Sequence, residues 1–200
     1  MKTRNHLKIL IPSLLLLAGC SGVMSSAQPA KQYYMLMPLS GSAVDSTGEP
    51  LHGLVMTVTA VPGLDTDRIQ ALGSEAQLVR YANARWPDHL PEVLTSVMQR
   101  SMQSAGRFSE VKVASRPGPE DWFLQLELQK FYGLRSVGEN TTQVIVQIAG
   151  IIECSDRRTT FTVEDSVPVS SERLSAVVSA HQQGLDGATR KILDQIGENC

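Results

Sequence analysis

The chain has 200 residues, with 18 Lys and Arg against 20 Asp and Glu, 42% hydrophobic and 19% charged side chains. That balance suits one globular domain with a real core and excludes a disordered chain, while leaving no room for a second full domain. A formal charge of −2 offers no basic excess, so nucleic acid is not an expected partner.

The first twenty residues are a segment of their own. Lys2, Arg4 and Lys8 precede the apolar run from Ile9 to Leu17, which closes on Leu17-Ala18-Gly19-Cys20 and turns small and polar at Ser21-Gly22. A charged start, a short apolar stretch and small residues before a cysteine read as a lipoprotein signal peptide over residues 1–19. A membrane span or a buried helix is the competing reading. Pro12 interrupts the run, and its length falls well short of the roughly 20 apolar residues a span needs. Cleavage would leave Cys20 first, its thiol and new amine carrying fatty chains. Each buried CH2 contributes about 0.8 kcal/mol, and two chains already anchor stably. Ser21, where Asp would favour inner-membrane retention, points to the outer membrane. Removing residues 1–19 and their three basic side chains leaves 15 basic against 20 acidic residues, a charge of about −5.

Residues 20–31 are rich in Ser, Gly, Ala, Gln and Pro, the composition of a flexible tether, and residues 32–200 read as a single domain. Tyr33 to Met37 is the first predicted strand, stopped by Pro38 and followed by a Gly, Ser and Pro loop through Pro50. Leu54 to Val61 is a β-branched run ended by Pro62-Gly63, and Gln77 to Ala82 is a short third candidate.

From Asp88 to Ala105 the period changes. Leu90, Val93, Leu94, Val97, Met98 and Met102 recur at spacings of three and four, Pro91 suits a first turn, Glu92 suits the positive end, and Gly106 follows as a stop. Strand character returns at Glu110 to Ala114, before Pro117-Gly118-Pro119. Trp122, Leu124, Leu126 and Leu128 then alternate with polar residues and Phe123, and Val144, Val146, Ile148 and Ile152 do the same after a turn at Gly138-Glu139-Asn140. With Asp156-Arg157-Arg158 leading into Thr159 to Val163, three successive strands predict an antiparallel meander. The last segment is helical, with Leu174, Val177, Val178, His181, Leu185, Ala188, Ile192 and Ile196 on one stripe. Ser170 or Ser171 is its expected N-cap, and Gly184 and Gly187 weaken its middle. The expected fold is α+β, a mainly antiparallel sheet with two amphipathic helices packed on one face.

Cys154 and Cys200 remain after the lipobox, in a compartment that permits disulfides. Two readings stand side by side: an intramolecular bridge that pins the last helix to a strand, or a free thiol and a frayed terminus. No catalytic constellation assembles from the sequence. His52, His89 and His181 are isolated from one another, His6 leaves with the signal, and neither an H-E-x-x-H nor a G-x-S-x-G pattern nor a phosphate loop occurs. His181 on a helix stripe reads as a satisfied, half-buried residue. No cofactor and no metal site are expected.

Two segments have unusual wording: Val61-Pro62-Gly63-Leu64-Asp65-Thr66-Asp67-Arg68-Ile69-Gln70 and Tyr81-Ala82-Asn83-Ala84-Arg85-Trp86-Pro87-Asp88-His89-Leu90. With the lipobox, the Tyr33-Tyr34-x-Leu36 strand, the Leu-rich strand ending near Phe131 and the final helix, they resemble the ABC-type transport auxiliary lipoprotein family. The positions that carry the resemblance are Val61, Pro62, Leu64, Asp65, Ile69, Arg85, Trp86 and Leu90; Pro87-Asp88 and the cysteine pair depart from the pattern. The resemblance implies a non-enzymatic component of an intermembrane lipid transport system, whose partner is a tunnel-forming protein with mammalian-cell-entry domains. Both a monomer and a homo-oligomer are open. Two other classes compete with this: a plug-like structural lipoprotein that partners an outer-membrane protein, and an envelope hydrolase with a hidden triad. Arg85 and Trp86 have two readings, an exposed docking pair or a core staple with a salt-bridged neighbour, since both types are frequent at interface hot spots and Trp packs well before a helix.

Overall fold

A fourteen-residue strand, Trp122–Arg135, organises the sheet. The computed structural model describes residues 30–40, 52–135, 140–171 and 173–200. In chain order the elements are β1 (Gln32–Tyr33), β2 (Leu54–Ala60), β3 (Arg68–Leu72), β4 (Leu78–Arg85), α1 (Leu90–Ser104), β5 (Val111–Val113), β6 (Trp122–Arg135), β7 (Thr141–Cys154), β8 (Arg157–Pro168) and α2 (Leu174–Asn199). Residues Lys31–Cys200 form one compact unit. Cys20, the signal segment and the tether up to residue 29 lie outside the described residues, as do Gly138-Glu139 of the expected turn.

One whole edge of β6 takes β7, and β7 takes β8, both antiparallel. The predicted meander therefore forms, and its register follows from burial. Val144, Val146, Ile148, Ile152 and Cys154 of β7 are buried on alternate positions, and Leu124 faces Ile152 while Leu128 faces Ile148 across the ladder. Gly150 keeps this alternation without a side chain, because a Cβ there would collide with the Phe161 ring on β8.

The opposite edge of β6 is shared. β2 runs parallel to its first half, Leu54 opposite Trp122 through Ala60 opposite Leu128, and β3 runs parallel to its end at Ala71 opposite Gly133. β5 adds to β2 and β1 to β4 in parallel, while β3 and β4 form an antiparallel pair. The sheet is thus mixed, mostly antiparallel, where the sequence pattern predicts it as mainly antiparallel without locating the parallel pairs. Parallel neighbours come from distant parts of the chain, so no hairpin signal marks them.

Both helices send their buried stripes into one core cluster. Leu94 and Met98 of α1, and Val177, Leu185 and Ile192 of α2, join Met56, Leu124, Ile148 and Ile152 of the sheet. α1 neighbours β2 and β5, and α2 neighbours β7 and β8. α1 ends where expected, at Gly106, whose φ of 68° a side chain would resist. Gly184 has a packing purpose in α2: a Cβ there would stand 2.9 Å from Val146 Cγ2. Its N-cap position is Arg173, without a side-chain cap bond, in place of Ser170 or Ser171.

The first predicted strand differs most. Only Gln32–Tyr33 pairs in the sheet, and residues 34–40 continue as an extended strap outside it. Beyond Tyr34, side chains take up its backbone groups at Met37 and Leu39. Gln182 of α2 accepts from the Met37 N–H at 2.8 Å and donates to the Met37 carbonyl at 3.0 Å, and Ser101 of α1 accepts from Leu39 N–H at 2.9 Å. Among the described residues, no helix is long and apolar enough to cross a membrane.

Candidate functional site

The two unusual segments meet. Val61 ends the β2 ladder by donating to Leu128 O at 3.1 Å, opposite a bulge in β6 between Leu128 and Lys130. Pro62 has no N–H with which to continue a ladder, and Pro62–Leu64 turns as a short 3-10 helix that buries Leu64. This turn carries the chain from its place as β2 to its place as β3 along the same edge of β6.

The following acids face the second segment. The Asp67 carboxylate pairs with Arg85 Nη1, and the Asp67 carbonyl accepts from Trp86 N–H at 2.8 Å. The Thr66 carbonyl accepts from Leu90 N–H at 3.1 Å, so one of the unpaired donors at the start of α1 is satisfied by the other segment. Asp65 accepts from His89 Nδ1 at 2.9 Å. Asp65 and Asp67 thus answer His89 and Arg85 in an antiparallel match. The alternation of two acids in one segment and two cationic groups in the other was the available signal for this pairing.

Trp86 is 1% exposed. Its ring meets Phe131 edge-on at 5.8 Å between centroids and His181 at 5.6 Å, so the docking reading of Trp86 is replaced by the core one: a buried ring has no surface to offer a partner. Arg85, with 16% of its side chain exposed, is held by Asp67 and lies against the same structure. His181 is fully buried rather than half-buried. Its Nδ1 donates to Val177 O at 2.9 Å, which leaves Nε2 a bare acceptor without a partner. Burial pushes its pKa down to about 4, only partly opposed by the bond to Val177. The ring is neutral at physiological pH.

His89 behaves in the opposite way. The hydrogen bond to Asp65, helped by the charges of Asp65, Glu92 and Asp88, raises its pKa above 6.5. Asp65, His89 and Glu92 hold their ligand-type atoms within 4.8 Å of one another and form the group among the described residues that could touch a cation; all three are exposed. Acidic side chains also collect at a helix N-terminus without any ion, because they favour its positive end. His52 is elsewhere, stacked on Trp122 at 4.9 Å. The fold therefore puts the three described histidines in three different settings.

Cys154 and Cys200 are bonded to each other, across 46 positions of sequence. The bridge fastens the end of α2 beside the β7–β8 turn, where Arg157 donates to Asn199 O at 2.9 Å; Arg107 donates to Leu193 O at 2.8 Å nearly two turns earlier. Arg157 thus lies at the negative end of the helix. The groove along α1, lined by Met35, Leu36, Pro87 and Val97, is open and holds about 220 Å³, and a second open groove beside Val58, Thr95 and Val113 holds about 340 Å³, at the lower end of the roughly 300–1,000 Å³ of small-molecule sites.

The model of a family described as ABC-type transport auxiliary lipoprotein component matches residues 34–193. The chain belongs to this family. The match spans both interlocked segments, the meander and most of α2, so the auxiliary lipoprotein family is defined over the folded unit described above. Two solved structures share its fold. An uncharacterised protein aligns with a TM-score of 0.65 at 19% identity, covering 84% of this chain and 99% of that one. Protein XCC0632 from Xanthomonas campestris, of the family DUF330, aligns at 0.63 and 20% identity, covering 81% and 92%. No curated protein matches the chain.

Proposed function

We propose that this auxiliary lipoprotein is non-enzymatic, carries acyl chains on Cys20, and sits on the outer membrane facing the periplasm. Its work is to dock the tunnel-forming mammalian-cell-entry partner of an ABC-type intermembrane lipid transport system. The observation that carries this reading is the family match over residues 34–193, a family described by its part in ABC-type transport. The lipobox ending at Cys20, the Ser21 that follows it and the tether composition of residues 20–31 support the anchor and its address. The two helices are read as covering one side of the sheet, because Met56, Leu124 and Ile152 stand level across β2, β6 and β7 and share the core with both.

The test is crosslinking in intact cells followed by purification of the acylated protein and mass spectrometry. A protein with mammalian-cell-entry domains, or another component of its ABC system, is expected in the crosslinked product. Recovery of neither sinks the transport reading. A Cys20→Ala form is expected to fold and to lose function; full complementation by it would show the anchor to be dispensable.

A further inference from the structure

We propose that Tyr33 at the end of β1, with Met35 and Met37 on the outward side of the strap that follows it, forms a lipid-contact stripe that seats the folded unit on the bilayer surface; the inference rests on the acyl-anchor reading above. Among the described residues, these three are prominent exposed large apolar side chains, at 60%, 67% and 60% exposure. They alternate with half-buried Tyr34 and buried Leu36, so one extended segment has one side in the core and the other in solvent.

Fraying does not account for that exposure. The strap backbone is fixed along its length, by Tyr34 N–H to Arg85 O at 2.9 Å, by the two bonds between Met37 and Gln182, and by Leu39 N–H to Ser101 Oγ. Leu36 occupies the core position, and turning Met35 inward would need a one-residue slip that breaks every one of these bonds. The molecule therefore presents the stripe rigidly, with its ordering cost already met on folding.

The occupant follows from the stripe's place in the chain. Tyr33 stands 13 positions after Cys20. Thirteen residues of chain span at most about 45 Å, which keeps the stripe within reach of the leaflet that holds the acyl chains. Tyrosine matches the headgroup boundary with an apolar ring and a polar tip, and methionine adapts to irregular apolar surroundings. A mature charge of about −5 supplies no attraction to anionic lipid, so the anchor brings the stripe to the surface and apolar burial holds it there.

The experiment uses the full-length acylated protein, reconstituted in vesicles of phosphatidylethanolamine and phosphatidylglycerol. The photoreactive residue benzoylphenylalanine replaces Met35, Met37 or, as a control, Val113, which is exposed on β5. Unchanged melting temperatures confirm that each variant folds. Lipid adducts at positions 35 and 37 severalfold above those at 113 are the expected result. A protein that floats with the vesicles yet gives no excess of lipid adducts at 35 and 37, or gives adducts with a second copy or another protein instead, overturns the stripe and leaves the anchor standing. Failure of the acylated preparation to float overturns the anchor reading, and the stripe with it.

Discussion

The meander of β6, β7 and β8 and the region where β3, β4 and the start of α1 meet are built on different principles. In the meander, period-two burial alone sets the register: a one-residue slip would exchange Val144, Val146 and Ile148 for Gln143, Ile145 and Gln147 on the core side. In the motif region, β3 is five residues long, its pairing with β4 shifts between Arg68 and Gln70, and named polar pairs hold the geometry. The first region is held by many equivalent contacts along its ladders. The second depends on a few contacts between segments. Trp86 belongs to both, since its backbone bonds Asp67 and its ring packs on Phe131 of β6 and His181 of α2.

Removing that joint should have the largest effect. Trp86→Ala is expected to cost about 3–5 kcal/mol and to lower Tm by roughly 10 °C, measured by thermal denaturation of the purified folded unit. A drop of only a degree or two would show that the two regions do not share a core. Next comes the staple of the meander. Replacing Cys154 and Cys200 together by Ser should cost about 3–4 kcal/mol in urea unfolding, because the bridge closes a long loop in the unfolded chain. Reductant should move the wild type by a similar amount and leave the double variant unchanged.

The His181 contribution is of the order of 3 kcal/mol and depends on pH. Its folded pKa of about 4 lies below the 6.5 of an ordinary histidine, so the unfolded chain takes up the proton first. Stability from this group is present above pH 6.5 and is lost as pH falls toward 4. His181→Leu should flatten that part of a urea-midpoint profile; an unchanged slope would mean the ring is protonated or solvated in the folded state. The smallest of these effects sharpens the polar side of the comparison. Asp67→Ala leaves the largely covered Arg85 without this carboxylate and should cost about 1–2 kcal/mol, whereas Lys112→Ala, in an exposed pair with Glu110, should leave Tm unmoved.

How much of this was legible beforehand differs in the same way. The α1 stripe from Leu90 to Met102, the alternation in β6 and β7 and the breakers at Pro62 and Gly106 are each contained in one short segment, and the structure has helix and strand where they predict them. β3 escaped because five residues with Arg68 and Gln70 among them carry no alternation long enough to see. The segment from Tyr33 to Met37 reads as a strand by composition, but beyond Tyr34 the chain is held by Gln182 at Met37 and by Ser101 at Leu39, far along the chain.

Local pattern, then, was sufficient for element type, for the α+β class and for the family wording at Val61-Pro62 and Arg85-Trp86, since burial period and turn chemistry act over a few neighbouring residues. Tertiary structure alone decided that Trp86 faces inward, that Asp65 and Asp67 meet His89 and Arg85, that β2 and β3 share one edge of β6, and that Tyr33, Met35 and Met37 stay outside. Each of those outcomes depends on which distant surface comes to lie against a segment. A side chain's own sequence neighbours hold no record of that surface.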